Sequence, residues 1–553
     1  MVVKLISYVK IGIAVSGFLT SLSPGTHSLS AQTVYNFYYR VYLRDKGTVS
    51  PSDFTLEKLF SQRAVDRRIR IGSNDPDYRD LPVNKAYLEQ ITALGLKLHC
   101  TSRWMNTALF KTENQIDPNL LLSLPFVSDV RLVKDTGAKG TENDKLDFEL
   151  NQQELPPFDR PLTMVNALPV HNSGFTGNNT EIAVLDAGFK NADNILSLES
   201  VRERNGIIGT YDFVKKNSFV YDYHNHGTAV LSVIAGTITG LISGSAPGAD
   251  FWLLRTEDPE TEFPAEEDYW IAGAEFADSA GADIISSSLG YFNFDDPSMN
   301  YKYSDLNGRM AFITRAAGVA VSRGIVVVNS AGNERNSSWI HIIAPADGDS
   351  VIAVGAVDGN NIISSFSSAG PSYDRRIKPD IVAQGVSVPV QVETSTVSRS
   401  SGTSFSCPVI SGMCACVLQA VPNAAPYEII EAVRSSADRY FHPDSLYGYG
   451  IPDFTLVVNK LQEELLLKPT DGPLLFPNPF SGGLKVIFPE PPGQLRIGIF
   501  TISGETIFEK DYGEYAGRFL ELNNLIFLRQ GVYLIRLMTP GKTVTLKAIK
   551  TGT

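Results

Sequence analysis

Three short segments place an acid, a base and a hydroxyl in one chain. Asp186 lies in Val184-Leu185-Asp186-Ala187-Gly188, and His226 opens His226-Gly227-Thr228-Ala229-Val230. Ser404 lies in Gly402-Thr403-Ser404-Phe405-Ser406-Cys407-Pro408-Val409. A serine hydroxyl is a weak nucleophile at neutral pH and needs a neighbouring base to take its proton as it attacks. A histidine suits that exchange, because it can later return the proton to a leaving amine. A carboxylate on the other ring nitrogen fixes the tautomer and stabilises the imidazolium. The glycines beside His226 and Ser404 permit tight turns and close approach of backbone to a substrate.

A fourth segment, Val326-Val327-Val328-Asn329-Ser330-Ala331-Gly332-Asn333, is a β-branched strand ending in small residues and a side-chain amide donor. Taken singly, each segment has a plain structural reading. An Asp at a strand end is commonly a turn or cap residue, and His-Gly-Thr, Gly-Thr-Ser and Asn333 all suit loops. Their conjunction in the order Asp, His, Asn, Ser carries the signal.

In that order the chain resembles a subtilisin-like serine peptidase. The resemblance implies a catalytic triad of Asp186, His226 and Ser404. It implies an oxyanion hole of Asn333 with the Ser404 N–H, and a substrate-binding edge of Ser288, Leu289, Gly290 and Gly332. The implied reaction is hydrolysis of internal peptide bonds through an acyl-enzyme, with no cofactor in the chemistry. His224 is the nearest rival base; it lacks the following Gly-Thr and reads as a surface or supporting residue. Three positions depart from the best-known pattern. Ala187 replaces a hydroxyl residue after the acid, and Ser406 and Cys407 replace small alanines after the nucleophile.

The flanks predict an α/β fold, a parallel sheet with helices on both faces. Glu181–Leu185 and Gly324–Val328 are continuous apolar runs, as strands covered on both sides should be. Asp283–Ile285, followed by Ser286-Ser287-Ser288-Leu289-Gly290, forms another. His226–Ala235, and the stretch from Ser404 through Leu418, carry apolar residues at helical spacing. Pro408 is expected in the first turn of the second helix, where a missing N–H costs little.

Composition narrows the class. A chain of 553 residues should hold several domains. Its formal net charge of −12 argues against nucleic-acid or anionic-membrane binding as the main task. The acidic Glu257–Asp268 stretch reads better as a solvated loop than as a calcium site, and it lacks EF-hand spacing. The four cysteines do not suggest a disulfide framework or a zinc site. Cys407 and Cys414 are expected to be buried small hydrophobes. Lys4 and Lys10 with the apolar Ile11–Leu22 read as a secretion signal, residues 1–31, too short to span a bilayer.

Residues 32–135 read as a small α/β unit, with strands at Tyr38–Leu43, Leu96–His99, Asn106–Lys111 and Val127–Val133, and helices at Leu59–Arg70 and Lys85–Leu94. Position and coarse pattern resemble the propeptide of secreted subtilisin-like enzymes; the alternative is an independent accessory domain. Residues 136–155 form a polar linker suited to processing, and 156–460 form the catalytic domain. From 470 to 553 the texture becomes short alternating strands, a β-sandwich. Phe476-Pro477-Asn478-Pro479-Phe480-Ser481-Gly482 and Gly531-Val532-Tyr533-Leu534-Ile535-Arg536-Leu537 frame it. These resemble the C-terminal sorting domains of type IX secretion cargo, which implies the outer-membrane secretion machinery as a partner; the alternative is a ligand-binding sandwich.

The expected protein is therefore a secreted or surface-exposed endopeptidase made as a zymogen, a monomer acting on proteins or peptides. The rival reading is a catalytically silent adhesion protein on the same scaffold. Gly290 and Gly332 suggest an open pocket that admits a sizeable side chain, with cleavage after apolar residues.

Overall fold

The computed structural model describes residues 36–137, 146, 148–150, 157–467, 472–476, 478, 480 and 482–550. The expected leader and most of the expected linker lie outside the described residues. The central unit is built on seven strands: β1 (Glu181–Asp186), β2 (Ile207–Asp212), β3 (Asp250–Arg255), β4 (Ile284–Ser287), β5 (Val326–Ser330), β6 (Ile352–Val357) and β7 (Ile381–Gln384). Their spatial order is β7-β6-β5-β4-β1-β3-β2, and every neighbouring pair is parallel. From β1 the chain passes to the edge at β2, fills the gap with β3, then crosses to the other side of β1 at β4. The strand order thus reverses beside β1, where open α/β sheets leave a crevice at the strands' carboxyl ends.

Alternation along each strand feeds two cores. Ile182 and Val184 of β1, Ile284 of β4 and Val326 and Val328 of β5 pack with α1 (His226–Ala235) and α4 (Thr403–Ala420). Ala183, Leu185, Ile285 and Val327 face the other way, against α2 (Ala265–Ala280) and α3 (Phe312–Ser322). Because both faces are covered, the interior strands carry apolar runs such as Ile182–Leu185 and Val326–Val328. α4 is apolar and 18 residues long, enough by length and composition to cross a membrane, yet it is wholly buried as the central helix of the fold. It begins at Thr403, so Pro408 lies beyond the first turn, where an N–H is normally needed.

Ahead of this unit, a four-stranded antiparallel sheet has the order Lys97–Ser102, Thr107–Thr112, Phe37–Leu43, Val127–Asp135. Helices at Gln62–Arg70 and Lys85–Ala93 accompany it. The sheet packs on α2 through buried ion pairs. Arg40 binds Asp268 at 2.7 Å, and Arg67, Arg68 and Arg103 all reach Asp278, at 2.5, 2.7 and 2.8 Å. The Glu257–Asp268 stretch is therefore no solvated loop: Glu257, Glu266, Glu267 and Asp268 are all buried, the last three in the first turn of α2. Arg40 supplies the countercharge that makes burial of Glu267 and Asp268 tolerable.

After the helix Phe454–Leu467 come a three-stranded and a four-stranded antiparallel sheet. Leu484, Val486, Ile497, Ile499, Ile535 and Leu537 form a core shared by the two.

Candidate active site

Asp186 is the last residue of β1, His226 the first of α1 and Ser404 the second of α4. An interior strand of the sheet and two helix N-termini thus converge on one crevice. His226 Nδ1 and Asp186 Oδ1 are 2.8 Å apart. Asp186 is fully buried, and its Oδ1 also accepts the Ala187 N–H at 2.8 Å. Among the described residues, its Oδ2 has no hydrogen-bond partner. A carboxylate carrying one ring N–H on a single oxygen holds the imidazole with Nε2 facing outward. His224 is half-buried, and its Nδ1 accepts the His226 N–H at 3.2 Å, so it positions the backbone of His226.

Ser404, His226 and Asn333 line one pocket of about 300 Å³. Ser404 Oγ is turned toward the Ser288 carbonyl, at 3.4 Å. Rotation about the Cα–Cβ bond is what swings it toward the imidazole, and such bonds commonly tighten only with substrate. Asn333 Oδ1 accepts both the N–H and the hydroxyl of Thr403, at 2.9 and 3.0 Å. With the oxygen so engaged, Nδ2 is the donor left for the crevice. Thr403 Oγ1 also accepts the Gly332 N–H at 3.2 Å. Sequence patterns did not single out this role for Thr403, which the neighbouring Gly-Thr-Ser could have suggested.

Ser288, Leu289, Gly290 and Gly332 line a second pocket of about 250 Å³ that also reaches Ser404 and Asn333. All the sequence-predicted site residues are therefore brought together. Ile343 lies against both glycines and lines the same pocket, narrowing the space that they leave. Asn329 Nδ2 ties the two sides, donating to Leu289 O and Ser330 O at 2.9 Å each.

Part of the segment between the first two units also lies in the crevice. The Phe148 ring meets those of His226 and Phe405 edge-on, with centroids 5.6 Å away in each case. Ser400 Oγ donates to Glu149 O at 2.9 Å, and Leu146 lines both pockets. The chain thus covers its own candidate site.

Glu257, Glu262 and Glu266 bring carboxylate oxygens within 4.8 Å of one another, a set that could hold a cation. Internal donors already serve this set. Tyr291 OH reaches Glu257 at 2.5 Å, and the N–H groups of Asp258 and Phe263 reach Glu266 at 3.2 and 3.3 Å. Cys407, Cys414 and Cys416 are buried free thiols, and burial pushes Cys407 up to about 12, away from nucleophilic use.

Comparison with known proteins covers all three parts of the chain. The model of the subtilase family matches residues 177–450. A peptidase S8 propeptide domain of Bacteroidota matches residues 38–147, and a secretion system C-terminal sorting domain matches 474–551. Subtilisin E of Bacillus subtilis (strain 168) is 30% identical over 323 residues, covering 58% of this chain and 75% of the relative. Subtilisin of Bacillus pumilus is 30% identical over 293 residues, 52% of this chain and 94% of the relative. Among solved structures, fervidolysin from Fervidobacterium pennivorans, a keratinolytic enzyme related to subtilisin, matches with a TM-score of 0.52 at 17% identity. That match covers 95% of this chain and 78% of fervidolysin, and it speaks to fold alone.

Proposed function

Since the chain belongs to the subtilase family, we propose that its serine endopeptidase chemistry is carried by Ser404, His226 and Asp186, with Asn333 as the oxyanion donor. The chain is a serine-type endopeptidase with a propeptide domain and a type IX sorting domain, secreted or held at the cell surface.

The reaction runs in two halves. Ser404 Oγ attacks the scissile carbonyl as its proton passes to His226 Nε2, and Asp186 holds the Nδ1–H throughout. The carbonyl oxygen gains the negative charge and accepts hydrogen bonds donated by Asn333 Nδ2 and the Ser404 N–H. The N-terminus of α4 adds favourable potential at the same place. Collapse of the tetrahedral intermediate expels the amine, which takes the proton from His226, and leaves an ester on Ser404. Water then attacks that ester with His226 again as base, releasing the acid and restoring the hydroxyl. Before any of this, Phe148 and its neighbours must leave the crevice, which fits synthesis as a zymogen.

The observation that carries this reading is the 2.8 Å His226–Asp186 bond on the wall of a pocket shared with Ser404 and Asn333. The test is labelling of the processed protein by a serine-directed phosphonate. Ser404→Ala should abolish labelling; retained labelling would identify another nucleophile. No observation favours a catalytically silent scaffold.

A further inference from the structure

Taking Ser404 as the nucleophile, we propose that Ile343 closes the primary specificity pocket, so that the residue preceding the scissile bond must be small. An acyl carbonyl held between Ser404 Oγ and Asn333 Nδ2 places the next side chain two bonds away. That side chain enters the space between Ser288–Gly290 after β4 and Ser330–Asn333 after β5, both of which line the pocket beside Ser404. A methyl group added at Gly290 would come within 2.3 Å of Ile343 Cδ1, and one at Gly332 within 3.0 Å of the same atom. The tip of Ile343 therefore bridges the two walls, filling the volume that two glycines vacate.

Backbone bonds on either side hold Ile343 there. Its N–H donates to Ala331 O at 3.2 Å, on the β5 side. The next residue, Ala344, exchanges two bonds with Tyr291 on the β4 side, at 2.8 and 3.2 Å. Ile343 is 7% exposed, and a β-branched side chain has little freedom at χ1. The backbone bonds fix the position of its Cα and β-branching restricts χ1, so only the terminal Cδ1 can turn, about χ2. Against that wall an alanine, serine or glycine meets less obstruction than a phenylalanine, leucine or lysine.

The experiment uses processed enzyme and fluorogenic peptides that differ only at the residue before the scissile bond. The natural enzyme should turn over the alanine peptide with a kcat/KM at least about tenfold above that for phenylalanine. Ile343→Gly should lower that ratio by at least about tenfold, and Ile343→Ala, which disturbs the core less, should move it in the same direction. A natural enzyme that prefers phenylalanine, leucine or lysine overturns the proposal without any variant. So does an unchanged ratio in a folded Ile343 variant. Phosphonate labelling separates the two readings. A labelled enzyme with a large-residue preference overturns only the closed pocket, whereas an enzyme that Ser404→Ala leaves labelled removes the catalytic assignment and the closed pocket with it.

Discussion

Ser288 Oγ donates at 2.9 Å to the Ser404 carbonyl, the helical acceptor that Pro408 leaves without its partner. In an α-helix the carbonyl of residue 404 would be bonded by the N–H of residue 408, and proline has none. The hydroxyl that lines the substrate edge is thus also what makes proline tolerable under the nucleophile. Ser288→Ala should cost about 1–3 kcal/mol, the penalty for a buried acceptor left without a donor. Adding Pro408→Ala restores an N–H, so the pair should lose less than Ser288→Ala alone. Thermal unfolding in a Ser404→Ala background, which prevents self-digestion, measures both. Simple additivity would show that the two residues do not share that carbonyl.

Thr403 aims the side-chain amide of Asn333, the proposed oxyanion donor. Because Asn333 Oδ1 takes both Thr403 donors, the amide has one orientation. Asn333→Ala should lower kcat by roughly a hundred- to a thousandfold with little change in KM, the loss known for the corresponding donor of subtilisin. Thr403→Val retains the backbone bond and removes the hydroxyl. A smaller loss, about tenfold in kcat, should follow because the donor is less firmly held. A Thr403→Val effect confined to KM would contradict this.

What could be read from residue order was local. Each triad residue sits where an apolar run meets a glycine-bearing turn, so strand ends and helix starts were legible around Asp186, His226 and Ser404. The antiparallel unit at Phe37–Asp135 was likewise legible from alternation and turn residues, to within a residue or two at most ends. Pro408 lies beyond the first turn whether the helix starts at Thr403 or Ser404, and the compensating hydroxyl comes from position 288, which has no sequence relation to it. The acidic stretch was misread for the same reason. Arg40 lies 228 residues from Asp268, and a charge run looks solvated until its distant partner is known. Ile343 was invisible because its segment shows no periodicity; its contact with Gly290 exists only in the folded chain.

Asp278 is the electrostatic anchor of the N-terminal unit. Burial pushes its carboxyl upward, but Arg68, Arg67 and Arg103 outweigh that and hold it below the usual carboxylate range. Asp278→Asn would leave three guanidinium groups around a neutral amide, two of them almost wholly buried. Breaking a buried ionic cluster on one side costs about 3–5 kcal/mol. Hydrogen exchange on full-length Ser404→Ala protein should show lost protection at Gln62–Arg70 and in α2, with β1 and β5 still protected. Uniform loss across the sheet would mean that Asp278 supports the whole fold rather than the docking.

His99 makes that docking sensitive to acid. Its ring lies against Tyr38 and against Tyr269 of α2, with centroids 5.9 and 5.0 Å away, and its Nε2 sits 3.0 Å from Phe213 O. Burial brings it down from 6.5 to about 3. A base whose value falls on docking is neutral when docked and protonated when free. Its contribution is complete above about 6.5 and is lost as pH falls toward about 3, by up to about 1.4 kcal/mol for each pH unit. Glu267, Asp268 and Glu275 are shifted upward, chiefly by burial, and act in the opposite sense, easing docking as they take up protons. The histidine is therefore isolated by difference. In the Ser404→Ala protein, protection of Lys97–Ser102 should fall more steeply between pH 7 and 5 than in the same protein carrying His99→Phe, which cannot be protonated there. Identical slopes would show that His99 does not carry the acid sensitivity.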